Sequence, residues 1–197
     1  MGTLSDVRDR VRKDLHDTDA GTYRWTDAQL DRHIDRALTE LSEAMPQEKT
    51  ATLATTAGSR EVSLTGLDVI GVEAVEYPVG EYPPAYIGFG TWASALFLHL
   101  ETAPTGANLK VYYRARHALD GSGSTLSSQQ ADFVAMGASG YAALEQAVYT
   151  ADRLNTGPGV PGEYRAWGEG RLTAFRQLLM QFGRPSRVRR RRLYTPA

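Results

Sequence analysis

The sequence predicts an α+β protein: a four-helix unit with two helices near each end of the chain, an inserted β-sandwich-like block, and an extended basic carboxy-terminal tail. Three observations predict it. Apolar residues recur at helical spacing over residues 4–45 and again over 127–182. Between residues 49 and 117 the period falls to two, broken by proline and glycine. The final segment carries six arginines, Arg184, Arg187 and Arg189 through Arg192, around Val188 and ahead of Leu193, Tyr194 and Pro196.

The first helix is marked by Leu4, Val7, Val11 and Leu15, with Thr3 and Asp6 spaced for a capping box. Its charged face, "DVRDRVRKD", has opposite charges three and four apart, which support a helix without an outside partner. "DTDAGTYR" is a loop. The second helix opens at "WTDAQL", where Thr26 and Gln29 are spaced to cap reciprocally and Trp25 and Leu30 to form a hydrophobic staple. Leu30, Ile34, Leu38, Leu41 and Met45 form its stripe, and Pro46 ends it. Two such helices pack as a hairpin. His33 lies at the edge of the stripe as a packed or solvated side chain.

In the middle block, "TATLATT" and "REVSLTGL" alternate around "AGSR", and "VIGVEAVEYPV" is β-branched. "EYPPAYIGFG" reads as a connection. In "WASALFLHLE", Trp92, Ser94, Leu96, Leu98 and Leu100 share a face. Leu109, Val111, Tyr113 and Ala115 oppose Lys110, Tyr112, Arg114 and Arg116. About five strands are expected, as a small sandwich or a curled sheet.

"DGSGSTLSS" is a joint ending in a third capping box, Ser127 with Gln130. The helix after it is expected to run to about Asn155, with Phe133, Met136, Gly140, Tyr141, Leu144, Val148 and Ala151 on one side. "GASG" at 137–140 costs helicity, roughly 1 kcal/mol per glycine, which close backbone packing offsets. "NTGPGVPG" is a loop. The last helix covers about Glu163 to Phe182, bearing Tyr164, Trp167, Leu172, Phe175, Leu178, Leu179 and Phe182, with Gly183 at its end and Pro185 beyond. A helical hairpin alone leaves its stripe uncovered. Residues 1–47 are therefore expected to share a core with 125–183, around an inserted domain at 48–118 and a tail at 184–197.

The 197 residues suffice for a substantial core. With no cysteine there are no disulfides or thiolate metal sites. No apolar run approaches the roughly 20 residues of a membrane span, and "MGTLSDVRDR" lacks a secretory signal core. The net charge of −1 hides an asymmetry: 16 of the 22 Lys and Arg precede residue 184 with all 23 Asp and Glu, leaving −7 there and +6 in the tail.

Catalytic patterns are absent. "GSGST" lacks the ending of a phosphate loop, "GFGTW" lacks dinucleotide-fingerprint spacing, and there is no GxSxG, HExxH or EF-hand pattern. His16, His33, His99 and His117 are scattered. His99 and Glu101 share a face but are too few to hold a metal, and Asp14, Asp17 and Asp19 read as solvated. Neither an enzyme nor a cofactor is expected. The tail alone leaves three readings open: a solubilising end, a basic arm for nucleic acid bound without sequence preference, or a plug for another protein. Lys110, Arg114 and Arg116 are a second candidate contact, for DNA or a neighbouring subunit, if they are not simply solvated.

The whole layout resembles the head–tail connector, or adaptor, proteins of tailed bacteriophages. The likeness is carried by the short first helix leading to "YRWTDAQLDRHIDRALTEL" and by the β-rich insertion with "VEAVEYPVGEYPPAYIGF". It continues through "ADFVAMGASGYAALEQAVYTADRLN" and the closing helix followed by "RVRRRRLYTP". The resemblance implies a homo-oligomeric ring, commonly a dodecamer, beneath the portal protein in the virion neck, assembled in the host cytoplasm. Double-stranded DNA would pass through it, and tail or stopper proteins would dock on it, without membrane or metal. It assigns portal docking to Arg184, Arg187, Val188, Arg189, Arg190, Arg191, Arg192, Leu193 and Tyr194.

Overall fold

The computed structural model describes residues 2–151 and 160–183, in two compact units. One combines residues 2–45 with 117–183, and the other spans 46–116.

The first unit is helical: α1 (Leu4–Asp14), α2 (Asp27–Ala44), α3 (Ser128–Ala151) and α4 (Val160–Phe182). Three of its helix starts are capping boxes. Thr3 Oγ1 accepts from Asp6 N while Asp6 accepts from Thr3 N at 2.7 Å. Thr26 and Gln29 repeat the exchange, as do Ser127 and Gln130. Each satisfies two backbone donors that a helix start leaves unpaired.

The core joins Val7 and Val11 of α1, Trp25, then Leu30, Ile34, Ala37 and Leu41 of α2. It continues through Phe133, Val134, Ala138 and Ala142 of α3 to Phe175 and Leu179 of α4. The staple residues Trp25 and Leu30 are both buried. Small residues let α3 run through the middle of the unit. A Cβ on Gly140 would lie 2.9 Å from Leu172 Cγ, and one on Gly168 would lie 2.9 Å from the Gly140 carbonyl oxygen. Gly137 is as tight, against Phe175 and Ala37. The close packing expected of "GASG" is therefore present, with Gly168 as its counterpart on α4.

Some expectations are corrected. α4 begins at Val160, three residues early, because Pro161 is tolerated in a first turn that has no N–H partner to lose. α3 has no single buried side: Ala135, Ser139 and Ala143 are buried, whereas Val148 is 66% exposed. Trp167 and Phe182 are also substantially exposed. The carboxy-terminal end of α3 proposed for residues 152–155 lies outside the described residues.

The second unit is one antiparallel sheet of β1 (Gln47–Ala54), β2 (Glu61–Ser63), β3 (Gly71–Glu76), β4 (Tyr86–Trp92), β5 (Ala95–His99) and β6 (Asn108–Ala115), ordered β1-β6-β3-β4-β5-β2. β1 and β6 pair over their full lengths, from Gln47↔Ala115 to Ala54↔Asn108. Only Val75↔Ile87 and Glu76↔Tyr86 join β3 to β4. Val62, Leu96 and Leu98 from one half share a core with Val75, Leu109, Val111 and Tyr113 from the other. The sheet therefore curls about its narrow middle, and its two halves do the work of two layers.

β4 is the strand the sequence hides. Its "YIGFG" follows two prolines and carries two glycines, which read as a connection. Those glycines lie across from His99, where a Cβ on Gly90 would make ordinary contact at 3.5 Å from His99 Nε2. Trp92 does not share the face of Leu96 and Leu98. It ends β4, 79% exposed, and the turn through Ala93 (φ 51°) restarts the alternation. β6 alternates as expected, with Leu109, Val111, Tyr113 and Ala115 buried.

Candidate interaction surfaces

α2 and α4 both pack on α3, and between them they leave a groove of about 940 Å³. Its floor is Tyr141, Leu144, Glu145 and Val148 of α3. One wall is Arg32, Arg36, Glu40 and Glu43 of α2, the other Glu169, Thr173 and Arg176 of α4. Past the last turn of α4, Gly183 meets the end of α2: a Cβ there would collide with the Leu179 carbonyl oxygen and lie 2.9 Å from that of Ala44. That crowding, and not a left-handed backbone, is what calls for glycine there.

Two charge clusters line this groove. His33 Nε2 bonds Glu145 Oε2, and Arg32 reaches Glu145 Oε1 at 2.7 Å. Burial pushes the His33 pKa below its ordinary value even though Glu145 pulls the other way. Burial pushes the Glu145 carboxyl up, but the bonds from Arg32 and His33 outweigh it and leave the pKa lowered. In the second cluster, Tyr141 donates its hydroxyl to Glu40, and Arg36 stacks over the Tyr141 ring, 3.9 Å from its centroid. Burial, then Glu40, raises the Tyr141 pKa. The groove was not read from the sequence. The signal available was Arg32, Arg36 and Glu40 recurring every four residues beside the apolar stripe.

The acidic residues at the end of α1 are not a solvated cluster. Asp17 is buried, accepts Arg12 Nη1 at 2.7 Å, and accepts the backbone N–H of Arg24 at 2.7 Å. Arg12, also buried, continues to the Trp25 carbonyl and Asp27. Asp14 pairs with Arg171 of α4, and Asp19 shapes the loop by accepting from Gly21 N. The charged face of α1 also has partners beyond its own helix: Arg8 forks onto Asp31, and Arg10 reaches Asp132. His117 is buried and braced by Met45 O and Thr125 Oγ1.

Lys110 and Arg114 do share the outer face of β6, and both are half-buried. Arg114 Nε lies 2.8 Å from Glu73 Oε1, close enough for an ion pair though not aligned as a hydrogen bond. Between them Tyr112 donates to the buried Glu76 at 2.9 Å, and Lys110 sits 5.3 Å from the Tyr112 ring. Arg116 is exposed beyond the strand end. His99 ends β5 against Gly88 and Gly90, and Glu101 lies past the strand. Among the described residues, no group of three His, Asp or Glu side chains is placed to hold a metal, and no helix is long and apolar enough to cross a membrane. Arg184, Arg187, Val188, Arg189, Arg190, Arg191, Arg192, Leu193 and Tyr194 lie outside the described residues.

A sequence-family model described as SU10 adaptor protein matches residues 2–192. The match takes in both compact units and most of the basic tail. No curated protein matches the chain. Among solved structures, the neck of a native GTA particle, computed with C12 symmetry, is similar at 17% identity and TM-score 0.30, over 83% of this chain and 86% of that one. The neck of an empty GTA particle, computed with C6 symmetry, is similar at the same identity and score, over 85% and 87%.

Proposed function

The chain belongs to the SU10 adaptor protein family, head–tail adaptors of tailed bacteriophages, and from that premise we propose that it closes into a homo-oligomeric ring, of dodecameric order, below the portal protein in the virion neck. The ring extends the channel for double-stranded DNA and gives tail or stopper proteins a platform. The helical unit forms the ring, and the carboxy-terminal arm, Arg184 through Tyr194, docks into the portal. One observation carries this reading: the family match extends through the arginine run to residue 192.

The chemistry agrees. Arginine forks bind carboxylates in pairs of hydrogen bonds, so a basic arm suits an acidic socket. Leu193 and Tyr194 supply the apolar anchors that dominate interface energies. A body at −7 net charge ahead of the arm favours a channel wall along which DNA slides without binding tightly. Electron microscopy of the purified chain, alone and mixed with its portal protein, tests the reading. Rings, or portal capped by this chain, are expected. A chain that stays monomeric with portal at every concentration overturns it.

A further inference from the structure

The groove between α2 and α4 has the shape and charge of a seat for a basic segment, and we propose that it holds this chain's own residues 184–197 until a portal is present. The proposal rests on reading those residues as the docking arm.

Three features support it. Position comes first: Gly183, the last described residue, packs against the Ala44 carbonyl at the end of α2, the helix that forms one wall of the groove. Ala44 directly follows Glu43, a carboxylate of the groove wall. Reach is ample. The α2 wall from Arg32 to Glu43 rises roughly 16 Å, against about 46 Å for the arm if extended.

Charge is the third feature. Five carboxylates line the groove, Asp35, Glu40, Glu43, Glu145 and Glu169, against Arg32, Arg36 and Arg176. Glu40 and Glu145 already engage those arginines. Asp35, Glu43 and Glu169 are exposed on the walls, without an ion pair among the described residues. The arm brings six further guanidinium groups. The groove also shows how it holds one: Arg36 sits over the Tyr141 ring, 3.9 Å from its centroid, beside Glu40. The exposed part of the floor, Val148, offers an apolar surface to Leu193 or Tyr194.

The absence of cysteine makes the test direct. Spin labels on Gln177→Cys and Thr195→Cys of the full-length chain report the distance from α4 to the arm. At low salt, without portal, a narrow distribution is expected, broadening at about 0.5 M salt as the charges are screened. Glu43→Lys with Glu169→Lys, on exposed positions, should broaden it at low salt while far-UV circular dichroism stays unchanged. Reversing Arg189 through Arg192 to glutamate should do the same, and combining both sets should restore the narrow distribution. A distribution broad at low salt, or indifferent to these reversals, overturns the proposal. So does narrowing that depends on protein concentration, which would mark exchange between copies. Portal capture is scored separately. Capture with a broad distribution removes the groove and leaves the docking role, and a narrow distribution without capture does the opposite.

Discussion

Arg12 and Asp17 form an ion pair, 2.7 Å from Nη1 to Oδ2, with side chains only 4% and 7% exposed. The pair ties the end of α1 to the loop before α2, because Asp17 also accepts backbone N–H groups of Arg24 and Trp25. Removing Asp17 leaves the buried Arg12 with Asp27 as its remaining counter-charge and strips the Arg24 and Trp25 N–H groups of their acceptor. Asp17→Ala is expected to cost about 3–5 kcal/mol of unfolding free energy, measured by urea titration. Arg12→Leu with Asp17→Ala should recover part of that loss, since no guanidinium is then buried with only one of its two carboxylates.

Two glycines of α4 should respond in opposite directions. At Gly170 a Cβ meets nothing within 4 Å, so Gly170→Ala should stabilise by up to about 1 kcal/mol through helix propensity. Gly168→Ala drives a Cβ against the Gly140 carbonyl. It should destabilise by about 1–3 kcal/mol, as overpacking does. Thermal melts of the two variants provide the comparison.

Acid should weaken the helical unit through His33. Its pKa is lowered in the folded chain, chiefly by burial, with Glu145 opposing and Arg32 and Arg36 assisting. Unfolding frees the ring to take a proton near its ordinary value of 6.5. Its contribution is therefore complete above that pH and is lost as pH falls through 6.5 to the lower folded value. Glu145, also lowered, adds a second loss beginning around its ordinary 4.5. Urea midpoints at pH 8 and 5.5 should differ, and His33→Gln should flatten the part of the slope near pH 6.

Deleting residues 184–197 should abolish capture by portal while leaving the fold intact by circular dichroism, because the buried cores among the described residues lie before residue 184. Tyr194→Ala separates the two roles of the arm. It should weaken protein docking clearly and change DNA retention little, since phosphate neutralisation by six arginines sets a salt slope of roughly −5 on duplex DNA.

The helices were legible in the sequence because their caps and stripes are local: Thr26 needs only Gln29, and Leu30 only Ile34 and Leu41. "GASG" also announced itself, as an expense that something nearby had to offset. Long-range matters were less visible. Nothing in "DTD" shows that Asp17 turns inward to Arg12 while Asp19 stays at the surface. β4 was hidden because its two glycines and the prolines before it read as a connection, while its pairing with β3 and β5 is long-range. Nothing local marks the arginines of α2 as one wall of a groove until α4 lies opposite them.

The pairing of Gln47 with Ala115 means that the 46–116 unit leaves the chain beside the point where it enters. Such a module is a removable cassette: a short bridge of a few residues could span its base. The helical framework, whose core draws on residues from both sides of the insertion, would keep its own packing without it.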